Sequence, residues 1–397
     1  MPQISRKGNE LPQSAIRKLV PFSDAAKERG IHVYHLNIGQ PDIETPKGAL
    51  KRLAETEIGV LAYSHSAGNM SYRKKLCEYY ERHDIHVTPD QIIVTTGGSE
   101  ALQFAFTVCL NPGDEILIPE PYYTNYNTFA KLCDATIKTI PSDIRSGFAL
   151  PPIEAFEKAI TPKTRAIMIC NPNNPTGYLY TKQEMRQIRD LVKKYNLYLF
   201  SDEVYREFIY TKAPYISACH LEGIEDNVIL IDSVSKRYSA CGARIGALIS
   251  KNEELMSAVL KLAQGTLCVP TLEQVGAAAL YRMPKSYYDE MKAEYCARRD
   301  AAYEELSQIP GIVCQKPAGA FYMTAKLPVD NIEDFLMFML KEFDENGETA
   351  MFAPAPGFYA TPGLGGNEMR IAYVLSPAKM RRACELIKKA VAAYNAK

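Results

Sequence analysis

Between the apolar runs NVILID and ALIS the chain carries SVSKRYSACGARIG, residues 233–246. Lys236, Arg244 and the hydroxyls of Ser233 and Ser235 share this short connection. Two cations and two hydroxyls in one polar pocket suit a dianionic phosphate. A lysine that is partly desolvated, or held near other positive charge, can lose its proton near neutral pH and act as a nucleophilic amine. A solvated surface lysine is the plain alternative at this point. Asp202 closes LYLFSD, and Tyr205 follows three residues later. A carboxylate at the end of a buried strand is costly unless paired, so Asp202 caps the next element, meets an arginine or belongs to a site. Asn174 lies in NPNNPTG, a more elaborate cluster than a turn requires, although turn chemistry alone explains its residue types. Gly97-Gly98-Ser99-Glu100 opens a helical pattern after QIIVTT. Free N–H groups at a helix start, approached closely through glycine, make a phosphate seat; a tight turn with Ser99 as N-cap is the alternative. Neither GxGxxG nor GxxxxGK[ST] stands at these strand ends.

These groups all follow strand-like runs. QIIVTT, DEILIPEP, TRAIMIC, LYLFSDE, NVILIDS and ARIGALIS are apolar on both faces and alternate with helical patterns. That alternation predicts a mostly parallel sheet covered on both sides, with ligands beyond the carboxyl ends of its strands. TKQEMRQIRDLVKKYN has apolar residues at helical spacing, and Thr181 with Glu184 forms a capping-box pattern. Beyond it, MKAEYCARRDAAYEELSQ reads as a long charged helix, followed by strand-rich GIVCQKPAGAFYMTAKL and EMRIAYVLS. The predicted organisation is a large domain over 46–284 and a smaller α/β domain from 1–45 plus 285–397.

Composition narrows the function classes. The 397 residues carry 46 basic and 46 acidic side chains, a balance that points to neither nucleic acid nor an anionic membrane as partner. MPQISRKGNELPQS has no apolar core after its charges, so no secretory signal is expected, and no run is long enough to span a bilayer. Ten cysteines without a CxxC pair read as reduced, mostly buried thiols of a cytoplasmic protein. Six histidines without an HExxH or His-x-His cluster predict no metal.

Taken in order, NPNNPTG, SDEVY and SxSKxxxxxxxRxG resemble the class I/II aminotransferases of the pyridoxal-phosphate superfamily, across nearly the whole chain. The resemblance implies fold type I: a seven-stranded central sheet between helices, with the smaller domain beside it. It implies pyridoxal 5'-phosphate as cofactor, with Lys236 as its covalent anchor and Asp202 paired with the ring nitrogen. Asn174 and Tyr205 would hydrogen-bond the ring's phenolic oxygen, and Tyr123 of EPYYTNY would stack on the ring. Gly98, Ser99, Glu100 through its backbone, Ser233, Ser235 and Arg244 would hold the phosphate. Gly39 of LNIGQPDIETP would offer its N–H to the substrate carboxylate that Arg370 of EMRIAYVLS grips. Tyr63 would cross to the phosphate of a neighbouring subunit, making the functional unit a homodimer with shared sites. The implied activity moves an amino group from an L-amino acid, aspartate-type favoured, to a 2-oxo acid such as 2-oxoglutarate. Two half-reactions on one enzyme predict ping-pong kinetics.

Some positions depart from the pattern. Ala243 stands where many relatives have tryptophan, and the chain contains none. Gln264 is neutral near where some dicarboxylate-specific relatives carry an arginine that reads the substrate side chain. Tyr322 and the segment IRKLVPF border the expected side-chain pocket or simply pack. Aromatic amino acids or alanine are the alternative donors, and a carbon–sulfur β-lyase is the alternative reaction.

Overall fold

The computed structural model describes residues 2–397 apart from 13 and 15. Strand β1 (His32–His35) precedes the main sheet. That sheet comprises β2 (Ile92–Thr95), β3 (Glu115–Glu120), β4 (Thr136–Pro141), β5 (Thr164–Cys170), β6 (Tyr198–Asp202), β7 (Val228–Ser233) and β8 (Gly246–Ile249). Its order is β2-β8-β7-β6-β5-β3-β4. β8 runs antiparallel to both neighbours and the remaining pairs are parallel, so the sheet is mixed at one end.

The apolar runs are explained by what covers them. Ala166 and Met168 of β5 join one buried cluster with Phe104 and Val259; Ile167 and Ile169 join another with Met185, Ile188 and Leu191. Successive side chains therefore enter opposite layers and both are dry, which is why no polar face shows in the sequence. The helix Lys182–Tyr195 begins as its sequence predicts: the Glu184 N–H donates to the Thr181 hydroxyl at 3.2 Å, and the Thr181 N–H donates to the Glu184 carboxylate at 2.7 Å.

The parallel register sets the site. Cys170 of β5 is level with Asp202 of β6, and Asp202 with Ile231 of β7, so NPNNPTG, SDEVY and SVSK leave the sheet at the same edge.

A second body faces that edge. β9 (Val313–Cys314), β10 (Tyr322–Lys326), β12 (Ala353–Pro354) and β13 (Glu368–Ala372) form an antiparallel sheet, and β11 (Glu348–Met351) pairs in parallel with β1. The helices Lys285–Leu306, Ile332–Lys341 and Pro377–Asn395 close a core around Phe321, Met323, Phe335 and Ile371. Arg370 of β13 sits opposite Thr324 of β10 and Ala353 of β12. The ten cysteines are all unpaired, but only Cys109, Cys170 and Cys384 are buried; the other seven are half-buried, which corrects the expectation of mostly buried thiols.

Candidate active site

Ser233, the last residue of β7, caps a single helical turn, Val234–Arg237, by accepting the Ser235 N–H at 3.1 Å. Its hydroxyl also lies 3.0 Å from the Ile245 carbonyl and 2.7 Å from the Ser235 hydroxyl. These contacts fix where Lys236 points. The Lys236 ammonium donates to the Gly39 carbonyl at 2.9 Å, with the Cys241 sulfur 3.9 Å away. Burial pushes its pKa down, and the charges of Arg244 and Arg370 add to that, against the opposing influence of Cys241 and Asp202.

Gly39 itself is sterically required. A Cβ there would overlap the Tyr322 hydroxyl, which in turn lies 2.9 Å from the Tyr205 hydroxyl. The Gly39 group that contacts Lys236 is its carbonyl.

Asp202 is buried at the end of β6, and burial raises its carboxyl to about 6. The Tyr126 hydroxyl donates to it at 2.8 Å and the Val204 N–H at 3.4 Å, both opposing that rise. Tyr123 lies edge-on to Tyr126, with ring centres 5.4 Å apart, and its hydroxyl accepts from Asn125 at 2.7 Å.

The helix Gly97–Cys109 begins at Gly97 (φ 75°), against which the Arg244 guanidinium packs so closely that a Cβ would collide with it. Arg244 also has a positive φ of 50° and donates to the Cys241 carbonyl at 3.1 Å. Ser99 lies inside the first turn, so the N-cap alternative for it does not hold. The Glu100 carboxylate turns back to accept the Thr96 N–H at 2.6 Å, leaving only its backbone toward a ligand.

Arg370 comes from the second body. It donates to the Asn174 side-chain oxygen at 3.2 Å and to the Asn37 carbonyl at 2.5 Å, between the rings of Tyr322 (4.6 Å) and Phe358 (4.9 Å). It is buried, its Nε has no hydrogen-bond partner, and no carboxylate among the described residues pairs with it. Burial lowers its pKa.

One cavity of about 500 Å³ collects these groups: Lys236, Asp202, Asn174, Tyr205, Tyr123, Gly98, Ser99, Ser233, Ser235, Arg244, Gly39 and Arg370 all line it. Four cations (Arg17, Lys236, Arg244 and Arg370) face one carboxylate, Asp202. A built cavity with that balance suits anions.

Two residues with expected roles do not line this cavity, and for Tyr63, expected to reach a neighbouring subunit, that is consistent with the expectation. Tyr63 is 79% exposed and away from this cavity, and Gln264 is exposed near the end of the helix Glu253–Gly265. Tyr322 and, from the segment IRKLVPF, Ile16 and Arg17 do line the cavity, whereas Tyr126 and Cys241 belong to the site although their residue types and spacing did not single them out. Tyr126 stands three residues after Tyr123 in EPYYTNY, a spacing that returns to the same side of a turn, and Cys241 is inside the lysine segment itself.

The family described as Aminotransferase class I and II matches residues 31–387. An aspartate aminotransferase of Bacillus subtilis is 30% identical, covering 99% of this chain and 100% of its own. One from Pyrococcus horikoshii is 32% identical over 96% and 95%. Among solved structures, an alanine aminotransferase from Pyrococcus furiosus superposes with a TM-score of 0.90 at 31% identity, covering 98% of this chain and 100% of its own. An aspartate aminotransferase from Thermotoga maritima gives 0.89 at 28%, covering 97% and 99%.

Proposed function

The chain belongs to the class I and II aminotransferases, which are pyridoxal-phosphate enzymes, and from that premise we propose that its cavity takes an aspartate-type donor and 2-oxoglutarate as acceptor. The observation that carries an amino-acid reading of the site is Arg370. A buried guanidinium with an unpartnered Nε and no carboxylate beside it is an uncompensated charge, which a planar substrate carboxylate would complete through a bidentate fork.

The residues fit the cofactor. Arg244, the start of the helix Gly97–Cys109 with Gly98, Ser99 and the Glu100 N–H, and the Ser233 and Ser235 hydroxyls would hold its phosphate. Asp202, dry and costly to ionise alone, would pair with the ring nitrogen; Asn174 and Tyr205 would reach the phenolic oxygen, and Tyr123 would lie against the ring. Bound pyridoxal 5'-phosphate supplies an electron sink for the pair left at the substrate α-carbon. The chain does the rest. Lys236, its basicity lowered by burial, takes the α-proton at Nζ and hands it on, acting as base and then acid. Arg370 and the Gly39 segment orient the carboxylate so that this proton faces the amine.

In this reading the larger body spans 46–284 and the smaller 1–45 plus 285–397, with the cavity between their contributions. A homodimer fits the exposed apolar stretch that includes Val60 (82%), Leu61 (60%) and Tyr63 (79%), with Leu267 (54%) beside it through the Ser66–Leu267 hydrogen bond. Tyr63 would then serve the neighbouring site. No described helix is long and apolar enough to cross a membrane, and ten unpaired cysteines suit a reducing cytoplasm. The likeness to the Pyrococcus furiosus enzyme supports alanine as the second candidate donor.

The experiment is direct. Protein loaded with pyridoxal phosphate should show a visible absorption band that Lys236→Ala cannot form, and L-aspartate with 2-oxoglutarate should yield oxaloacetate and glutamate. Pyruvate, ammonia and a free thiol from a cysteine conjugate would instead mean a lyase.

A further inference from the structure

We propose that Arg17 is the specificity-determining residue that receives a second carboxylate on the substrate, making the enzyme selective for dicarboxylic amino and oxo acids. This rests on the reading of the cavity as an amino-acid site.

The four cations on the cavity wall are not equivalent. Arg244 belongs to the phosphate end, packed on Gly97 at a helix start. Lys236 is central, against Gly39. Arg370 is held by Asn174 and Asn37 and awaits one carboxylate. Arg17 remains without a task. It comes, like Arg370, from the body opposite the sheet edge, and the charges of both act on the Tyr123 phenol. Its neighbour Ile16 packs against the cluster of Ala353, Ala355 and Phe358, and Arg370 lies 4.9 Å over the Phe358 ring, so Arg17 lies toward the substrate rather than the phosphate end.

Its presentation is built by its neighbours. The Arg17 and Lys18 N–H groups both donate to the Ser14 carbonyl at 3.1 Å, closing a turn. Lys18 is tied to Glu333 by an ion pair, and Leu19 is buried in the core around Phe335. The residue between that turn and those anchors is left facing the cavity with Ser14 and Ile16, and its guanidinium has no hydrogen bond or ion pair with any described residue. A surface arginine normally has solvent and nothing else around it. This one is on the wall of a cavity that already contains a site for one carboxylate. A guanidinium fork is the group suited to a second. Ile16 and Ile38 line the same cavity and would favour an apolar side chain if Arg17 were idle, so the two outcomes predict opposite substrates.

The test compares loaded wild type with Arg17→Met and Arg17→Lys. The ratio of kcat/KM for L-aspartate over L-alanine should fall about tenfold to a hundredfold in Arg17→Met and less in Arg17→Lys, as expected for loss of one polar recognition group. Calorimetric affinity for succinate, an unreactive dicarboxylate, should fall by a similar factor relative to butyrate. In wild type the succinate affinity should weaken with ionic strength, because Arg17 is solvent-accessible, and that dependence should shrink in Arg17→Met. An unchanged aspartate/alanine ratio, or equal losses for both substrates, would overturn the assignment. A wild type active on alanine but not on aspartate would overturn it too, while leaving the aminotransferase reading intact. Inactivity on every donor would sink the reading of the cavity itself, and the succinate titration would still decide whether Arg17 binds a carboxylate.

Discussion

Arg206 and Arg237, just behind the lysine turn, and Arg370, across the cavity, are all about 1–2% exposed, yet their surroundings are opposite. Arg237 lies 2.5 Å from the Asp232 carboxylate, and Arg206 lies 3.0 Å from Glu203 and 3.6 Å from Asp232. Tyr80 donates to Asp232, Tyr79 donates to Glu207, and Arg237 sits 4.4 Å over the Tyr79 ring. In that cluster burial acts downward, but the combined pull of Asp232, Tyr79 and their other neighbours outweighs it, and both guanidinium pKa values are driven up. Arg370 has only amide oxygens and aromatic faces, and burial drives its pKa down. A buried charge completed by the protein holds structure in place; one left incomplete is waiting for a ligand. Arg206 Nη1 and Arg237 Nε lack hydrogen-bond partners just as Arg370 Nε does, so the contrast lies in the carboxylates: the charge-paired cluster abuts Lys236 through Arg237, and the side without a carboxylate is the one proposed to receive the substrate.

Asp232→Asn breaks the complete side and has the largest expected effect. It leaves two buried cations short of their shared anion, and stability should fall by roughly 3–5 kcal/mol, read as a lowered unfolding midpoint of the cofactor-free protein. An unchanged midpoint would mean the cluster is not what holds the lysine turn.

Arg370→Leu is the counterpart. Removing an uncompensated buried charge should leave the midpoint unchanged or raise it, while kcat/KM for amino donors falls about a hundredfold to a thousandfold, roughly 3–4 kcal/mol of transition-state binding. A collapse in stability without a kinetic effect would make Arg370 one more structural arginine and erase the contrast.

A third test lies between the two. Burial raises the Asp202 carboxyl from 3.8 to about 6. Between those values the folded chain keeps a proton that the unfolded chain has released. Its contribution to stability is thus full below about pH 4 and lost as pH rises through about 6, an effect of about 3 kcal/mol. The unfolding free energy of cofactor-free wild type, measured against Asp202→Asn from pH 4 to 7, should decline by that amount. A flat difference would place Asp202 in a wetter site than its burial implies. A cationic ring nitrogen paired with Asp202 would reverse the shift, so loading with cofactor should abolish the decline.

How far the sequence reached follows the same division. The sheet was legible because β5, β6 and β7 are dry on both faces and write that directly as apolar runs, and the helix Lys182–Tyr195 announced its start through Thr181 and Glu184. The antiparallel β8 was not legible, because GALI reads alike in either direction. At the site, Lys236, Asp202 and Asn174 follow strands whose shared register brings them together, so linear order sufficed. Arg370 is different: its isolation depends on which side chains fail to reach it, and absence of a partner leaves no mark in a linear sequence. Tyr126 was hidden among 25 tyrosines, since only the packing of its turn against the end of β6 turns one phenol into a hydrogen-bond donor for Asp202.

That phenol supplies the smallest test. The Tyr126 hydroxyl donates to Asp202 at 2.8 Å and favours the ionised carboxylate against burial. Tyr126→Phe removes one hydrogen bond to a charged acceptor and leaves the ring in the core, so ionising Asp202 should become harder by about 1–2 kcal/mol. The carboxyl should then titrate above its wild-type position, and the decline in stability with pH should extend upward past about 6. Tyr123→Phe is the control, since the Tyr123 hydroxyl meets Asn125 instead, and it should leave the upper edge of the decline where it is. If Tyr126→Phe also leaves that edge in place, the phenol is not tuning Asp202, and the carboxylate must owe its position to the strand end alone.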